Sequence, residues 1–148
     1  MTPLELDSLL QRLRARIGTK APPVSRLVEP GALAKFARAT GQTDNRFLEL
    51  AHGPIAPPTY ISTFCAEGLS GLFELDIPLP VFLHTDDVAE LGDPIKGGDT
   101  ISTAGELVDV FLKDGRRGPM LFQTAQLVLT NQSGRHVATL RVSKASFA

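Results

Sequence analysis

The stretch from Thr100 to the C-terminus does most to limit what this chain can fold into. "TISTAGELVDVFLK", "PMLFQTAQLVLT" and "RHVATLRVSKASF" are strand-like runs separated only by "KDGRRG" and "NQSG". In the third run Ala138, Leu140 and Val142 alternate with Thr139, Arg141 and Ser143. Such alternation belongs to a sheet with one buried face. The short connections make neighbouring strands antiparallel, because a parallel return needs a crossover of roughly a dozen residues. The first run is long enough to bend, with Gly105 the expected bulge, and "KDGRRG" reads as a turn of the Asp-Gly type. Apolar residues on the other face of this sheet would favour an oligomer.

The preceding half has a helical texture. Thr2, Pro3 and Glu5 form a start signal of the capping-box kind. Leu6, Leu9, Leu10, Leu13 and Ile17 follow at helical spacing, with Gly18 as the stop and Arg12, Arg14 and Arg16 on a solvated face. "KAPPVSRLV" reads as an extended connector, since Pro22-Pro23 cannot continue a helix. Pro30 opens a second helix that places Leu33, Phe36, Ala37 and Thr40 on one face and closes at Gly41. A third is expected from about Thr59 through "YISTFCAEGLSGL", weakened by Gly68 and Gly71. "DIPLPVFLH" reads as a short strand whose prolines put it at an edge. Helices followed by a strand meander predict an α+β fold, a helix packed on an antiparallel sheet.

Bulk composition narrows the function classes. The 148 residues suit one domain, 1–148, without repeat or linker, and apolar (43%) and charged (21%) fractions are those of a globular protein. A net charge of −1 builds no field for nucleic acid or an anionic membrane. The single Cys65 excludes an intramolecular disulfide and a multi-cysteine metal site. "MTPLELDSLL" lacks an apolar core of signal-peptide length and no span reaches the roughly 20 apolar residues of a membrane helix, so a cytoplasmic protein is expected.

The order of several stretches carries a resemblance: "LAKFARATGQTDNRFLE", "IAPPTYISTF", "LH" at 83–84, "GDPIKGGDTIST", "VDVFLKDGRRGPMLF" and "NQSGRHVATLRVS". From about Ile17 to Ala148 the chain resembles the N-terminal type of MaoC-like dehydratase domain. This is a hot-dog fold related to (R)-specific enoyl-CoA hydratases and hydroxyacyl-ACP dehydratases. The resemblance implies a long antiparallel sheet wrapped around a central helix, the segment from Thr59. It also implies dimers with continuous sheets and an acyl-thioester site in the groove between subunits, with no cofactor or metal.

Hydrating an enoyl thioester needs a base for water, an acid for the α-carbon and a donor for the enolate oxygen. The resemblance locates the acid/base pair in a motif Gly-Asp-x-Asn-Pro-aliphatic-His. Gly41 matches the glycine, but Gln42 stands for the aspartate. Asp44 stands for the asparagine, Asn45 for the proline, Arg46 for the aliphatic residue and Phe47 for the histidine. Neither an amide nor a phenyl ring exchanges a proton near neutral pH. Both halves of the pair are therefore absent.

Other residues could contribute. Asp44 and His84 are the remaining catalytic candidates; Asp44 would need a shifted loop. His84 could orient a thioester or bond across an interface, or be structural. Pro58, Thr59 and Tyr60 form the doorway to the central helix, where the N–H groups of Thr59, Tyr60 and Ile61 could meet a thioester or simply cap the helix. Lys113, Arg116 and Arg117 could take coenzyme A phosphates or form a solvated hairpin tip. His52 and His136 read as loop and strand-surface residues, and Cys65 as packing. Asp86, Asp87 and Asp99 read as residues that cap or start strands rather than a metal site. The leading expectation is an acyl-CoA or acyl-carrier-protein binding, non-catalytic half of a dimeric site, as a homodimer or with a catalytic hot-dog subunit. A thioesterase or hydratase using other residues, or a plain assembly subunit, are the alternatives.

Overall fold

The computed structural model describes residues 2–51, 53–116 and 118–148. His52 and Arg117 lie outside the described residues. Helices α1 (Pro3–Arg14), α2 (Pro30–Ala39), α3 (Asn45–Leu48) and α4 (Cys65–Gly68) accompany strands β1 (Val24–Leu27), β2 (Val81–Leu91), β3 (Thr100–Gly115), β4 (Gly118–Thr130) and β5 (His136–Phe147). The strands make one antiparallel sheet in the order β1-β3-β4-β5-β2, so β2 is an edge. Helices on a sheet of this kind are the α+β architecture expected from the sequence.

The expected capping box is present. Thr2 Oγ1 accepts from the Glu5 N–H (3.3 Å), and the Glu5 carboxylate accepts from the Thr2 N–H (2.7 Å). These bonds hold the Glu5 carboxyl below its ordinary pKa, the backbone N–H contributing most. α1 ends at Arg14, a turn earlier than the apolar spacing predicts, and Ile17 is left exposed. Gly18 instead donates its N–H to Leu107 O (2.9 Å) with φ of 91°, turning the chain onto β3. The arginines at the end of α1 and just beyond it do more than face solvent. Arg14 Nε donates to Val110 O (3.0 Å), and Arg16 reaches Gly71 O (3.0 Å) and Glu74 (3.3 Å), tying the helix to the segment after α4.

The "KAPPVSRLV" connector contains β1, which pairs with β3 from Val24↔Thr103 to Leu27↔Thr100. Its prolines lie before the paired residues, where no ladder N–H is needed. The central helix is tighter than expected: Pro58–Phe64 is a 3₁₀ helix, and only α4 continues it in α geometry. It lies on the sheet, with Tyr60, Ile61 and Phe64 packed among Ile101, Leu127, Leu129 and Leu140. Burying a side chain such as Leu127 stabilises the fold by roughly 1.5–3 kcal/mol.

Gly105 is not the bulge of β3. The register slips between Leu107 and Asp109, whereas a Cβ on Gly105 would sit 1.9 Å from Gly68 O. The missing side chain lets the central helix touch the sheet backbone, the other reason for a glycine inside a strand. The β3–β4 hairpin also differs from the Asp-Gly reading. Asp114 pairs with Pro119 and Gly115 with Gly118, so the Asp-Gly pair belongs to the ladder. At the next turn Asn131 Oδ1 accepts from the N–H groups of Ser133 (3.0 Å) and Arg135 (3.1 Å).

Alternate residues of β4 (Leu121, Gln123, Ala125, Leu127, Leu129) are all buried under the helices. Gln123 is satisfied there by the backbone of Glu74, accepting from its N–H and donating to its carbonyl, both at 2.9 Å. The other face is apolar at one row, Leu83-Ala145-Phe122-Phe111, which runs directly across four strands. Phe111 and Phe122 stack there with centroids 4.9 Å apart.

Candidate functional site

The strand expected within "DIPLPVFLH" begins only at Val81 and continues through "TDD" to Leu91, with every residue exposed. Asp86 and Asp87 are therefore mid-strand residues, not caps. β2 joins the sheet through β5 alone, and the register skips Thr85 between His84↔Lys144 and Asp86↔Ser143. The Thr85 hydroxyl donates to Ser143 O (2.9 Å). Side chains alternate along a regular strand, so residues three apart point to opposite faces. One extra residue at Thr85 brings His84 and Asp87 to the same face, where His84 Nε2 and Asp87 Oδ1 lie 2.7 Å apart.

That face looks toward the 3₁₀ helix. A cavity of about 340 Å³ lies between Pro58, Thr59, Ile61 and Ser62 on one side and Asp87, Ala89, Leu91 and Leu140 on the other. A narrower one, about 160 Å³, continues past Pro57 and Pro58 to Leu91, Pro94 and Ile95. Together they flank the double proline. The larger cavity's walls are apolar apart from Asp87, Thr59 and Ser62, and those of the narrower one apart from Asp93, a composition suited to an acyl chain with a polar group at one end.

Pro58 and Thr59 line this groove, but Tyr60 turns away from it. Its ring is buried and meets Phe36 (5.2 Å) and Phe64 (5.9 Å) edge to face. The Tyr60 N–H is also taken, by Pro57 O at 2.8 Å, and that of Ile61 lies within the 3₁₀ ladder. Of the three donors considered, the Thr59 N–H alone is left outside the helical bonds.

The degenerate motif positions do not face the groove. Gly41 has φ of 77° and ends α2, and the Gln42 N–H bonds Ala37 O (2.9 Å). Asp44 caps α3, accepting from the Arg46 N–H at 2.9 Å, and pairs with the Arg46 side chain at 2.9 Å. These contacts hold its carboxylate at α3, and it does not line the groove. Phe47 is buried beneath the Arg46 guanidinium, 4.7 Å from its ring centre. Lys113 and Arg116 stand at the other end of the sheet. Lys113 pairs with Met120, whereas the groove lies over Leu140, which pairs with Leu127. Seven residues of strand separate them by about 23 Å, so the fold does not bring these cations to this chain's own groove.

The remaining candidates find ordinary partners. His136 Nε2 bonds Thr139 (2.9 Å), and Asp99 accepts from the Lys96 N–H and the Gln132 amide. Among the described residues no group of His, Cys, Asp and Glu could hold a metal ion, and no helix is long and apolar enough to cross a membrane. Burial pushes the Cys65 thiol pKa up, Asp87 adds to this and Lys144 opposes it. Cys65 is thereby held as a thiol, not as the thiolate a nucleophile requires. The sequence reading missed Asp87 as a groove residue. The spacing of His84 and Asp87 is visible in "HTDD", but the bulge that turns them together is not.

The family model of the FAS1-like dehydratase domain region matches residues 15–140. The chain belongs to that family. Its fold is the hot dog of MaoC-like dehydratases. A solved MaoC-like dehydratase superposes with a TM-score of 0.78 at 24% identity, over 92% of this chain and 43% of the other. The present chain thus spans less than half the length of that relative. The C-terminally truncated HadBC (3R-hydroxyacyl-ACP dehydratase) complex from Mycobacterium tuberculosis gives 0.72 at 18% identity, over 88% of this chain and 97% of the other. Unliganded R-hydratase PhaJ1 from Pseudomonas aeruginosa gives 0.66 at 17% identity, over 88% and 81%. No curated protein matches the sequence.

Proposed function

We propose that this chain holds an acyl thioester for a hydratase or dehydratase reaction whose proton-transfer groups come from another hot-dog domain. The observation that carries the reading is the apolar groove beside Pro58 and Thr59, and it is supported by Gln42 and Phe47 standing where the resemblance puts the acid/base pair. The acyl chain lies between the 3₁₀ helix and β2, with the thioester carbonyl toward the Thr59 N–H. As the enolate develops, that donor stabilises its oxygen. Water activation and α-carbon protonation fall to the partner's groups. The open edge of β2 supports a partner that continues the sheet, and the HadBC relative is a complex.

The test has two parts. Thermal-shift titration is expected to show stabilisation by acyl-CoA or acyl-carrier protein beyond that by the free carrier, because a ligand of the folded state raises its stability. Hydration of short, medium and long 2-enoyl-CoA by the purified chain alone is expected to be absent. Robust hydration lost in His84→Ala would place the chemistry in this chain; failure of every acyl thioester to stabilise it would leave an assembly subunit.

A further inference from the structure

We infer that the chain carries a second ligand site, for a medium-chain carboxylic acid, at the hairpin end of the sheet. It does not depend on the acyl-thioester reading, because the groove beside Pro58 lies at the opposite end. A cavity of about 380 Å³ opens between α1 and the β3–β4 hairpin, walled by Leu6, Leu79, Pro119, Met120 and Phe147. Arg116 is the one charged side chain among its described lining residues. Gly115 and Gly118 border it without side chains. A Cβ on Gly115 would crowd Met120 Sδ at 3.0 Å, and Gly118 has φ of 125°, which a side chain resists. The hairpin thus keeps the space open.

Walls and cation together define the occupant. Aliphatic and aromatic side chains on several sides favour an alkyl tail, which leaves water on entering. The volume equals roughly a dozen molecules of liquid water, enough for an eight-carbon acid. The head facing Arg116 is an anion, and a guanidinium takes a carboxylate through two parallel N–H···O bonds. A phosphate dianion calls for more than one cation, and the described lining offers Arg116 alone.

Arg116 is also uncommitted. Arg12, Arg16, Arg26, Arg46 and Arg135 each meet a carboxylate, and Arg14 and Arg141 direct their Nε atoms to oxygens. No described ion pair or hydrogen bond engages the exposed Arg116. Asp114, the nearest acid along the chain, sits in the ladder opposite Pro119 and is not among the lining residues. An ion pair on an open surface contributes little by itself. Here an apolar tail buried beside the same cation adds what such a pair lacks.

Met120 supplies the reporter, being one of two methionines in the chain. Protein with labelled methionine methyl groups is titrated with octanoate, octanol, acetate and octanoyl-CoA and followed by NMR. Octanoate is expected to shift the Met120 signal to saturation, equally in wild type and in Ala89→Trp, whose acyl groove is filled. Octanol should bind about tenfold more weakly, while acetate and octanoyl-CoA leave the signal in place. Arg116→Gln should weaken octanoate about tenfold, and Leu6→Trp, which fills the cavity from α1, should abolish the shift. Both substitutions fall outside the buried core, and circular dichroism checks that each variant folds. If one variant does not fold, the other decides. No saturable shift in wild type overturns the inference, as does an octanoate affinity indifferent to both substitutions or an equal response to octanoyl-CoA. The thermal shift by acyl thioester reads the groove and not Met120, so the two readings fail separately.

Discussion

β5 and β2 are neighbours in one sheet, of nearly equal length, yet they serve opposite ends. β5 lies between two strands, packs Ala138 and Leu140 against the central helix and buries Val142. β2 is exposed on both faces and is separated from that helix by a groove. The difference comes from what each strand can cover. Apolar side chains on β5 meet a closed core, whereas those on β2 have one neighbouring strand and an empty space opposite. Buried packing therefore concentrates in β3, β4 and β5, and the proposed binding groove lies at the edge.

Four substitutions sharpen that contrast. The largest effect is expected at the contact of sheet and central helix. Gly105→Val puts a side chain into Gly68 O, which is backbone and cannot swing aside. A loss of about 3 kcal/mol or more is expected, measured by urea unfolding. Leu127→Ala, which empties the centre of the meander, should cost about 2–5 kcal/mol by the same measurement. Either variant unfolding like wild type would deny that the core lies here.

At the edge the expectation reverses. Ala89→Trp fills the groove from an exposed position, so the unfolding free energy should change by no more than about 0.5 kcal/mol. The thermal shift by acyl-CoA should disappear. Unchanged binding would place the ligand elsewhere. The smallest effect concerns Cys65, whose folded thiol pKa is raised by burial and then by Asp87. The sign follows: this contribution to stability is fully present below the unfolded thiol's pKa and is lost as pH rises through the folded one. Alkylation by iodoacetamide at mildly alkaline pH should be slower than for a free thiol, and Asp87→Asn should quicken it. Equal rates in the two proteins would remove Asp87 from the surroundings of Cys65.

Much of the meander was legible because strand alternation and turn residues act locally. The capping box of α1 was legible for the same reason, being closed within four residues of chain. β1 escaped because a four-residue strand between prolines and a helix has too short a pattern to stand apart from a connector. Gly105 was visible as special, but whether a glycine bends a strand or admits a neighbour depends on what packs over it. The motif substitutions Gln42 and Phe47 were legible by resemblance. That Phe47 is buried and Asp44 occupied by Arg46 was not, since both depend on how α3 folds back.

By itself the sequence determined the class of fold and the order of helices before meander, because these are written in side-chain chemistry and short periods. Only the tertiary structure decided what surrounds the double proline. Pro58 and Thr59 line the groove while Tyr60 enters the core, since successive residues of a 3₁₀ helix point in different directions. His84 meets Asp87 through one unpaired residue in an edge strand. Such contacts are set by packing and register between distant segments, which no local pattern encodes.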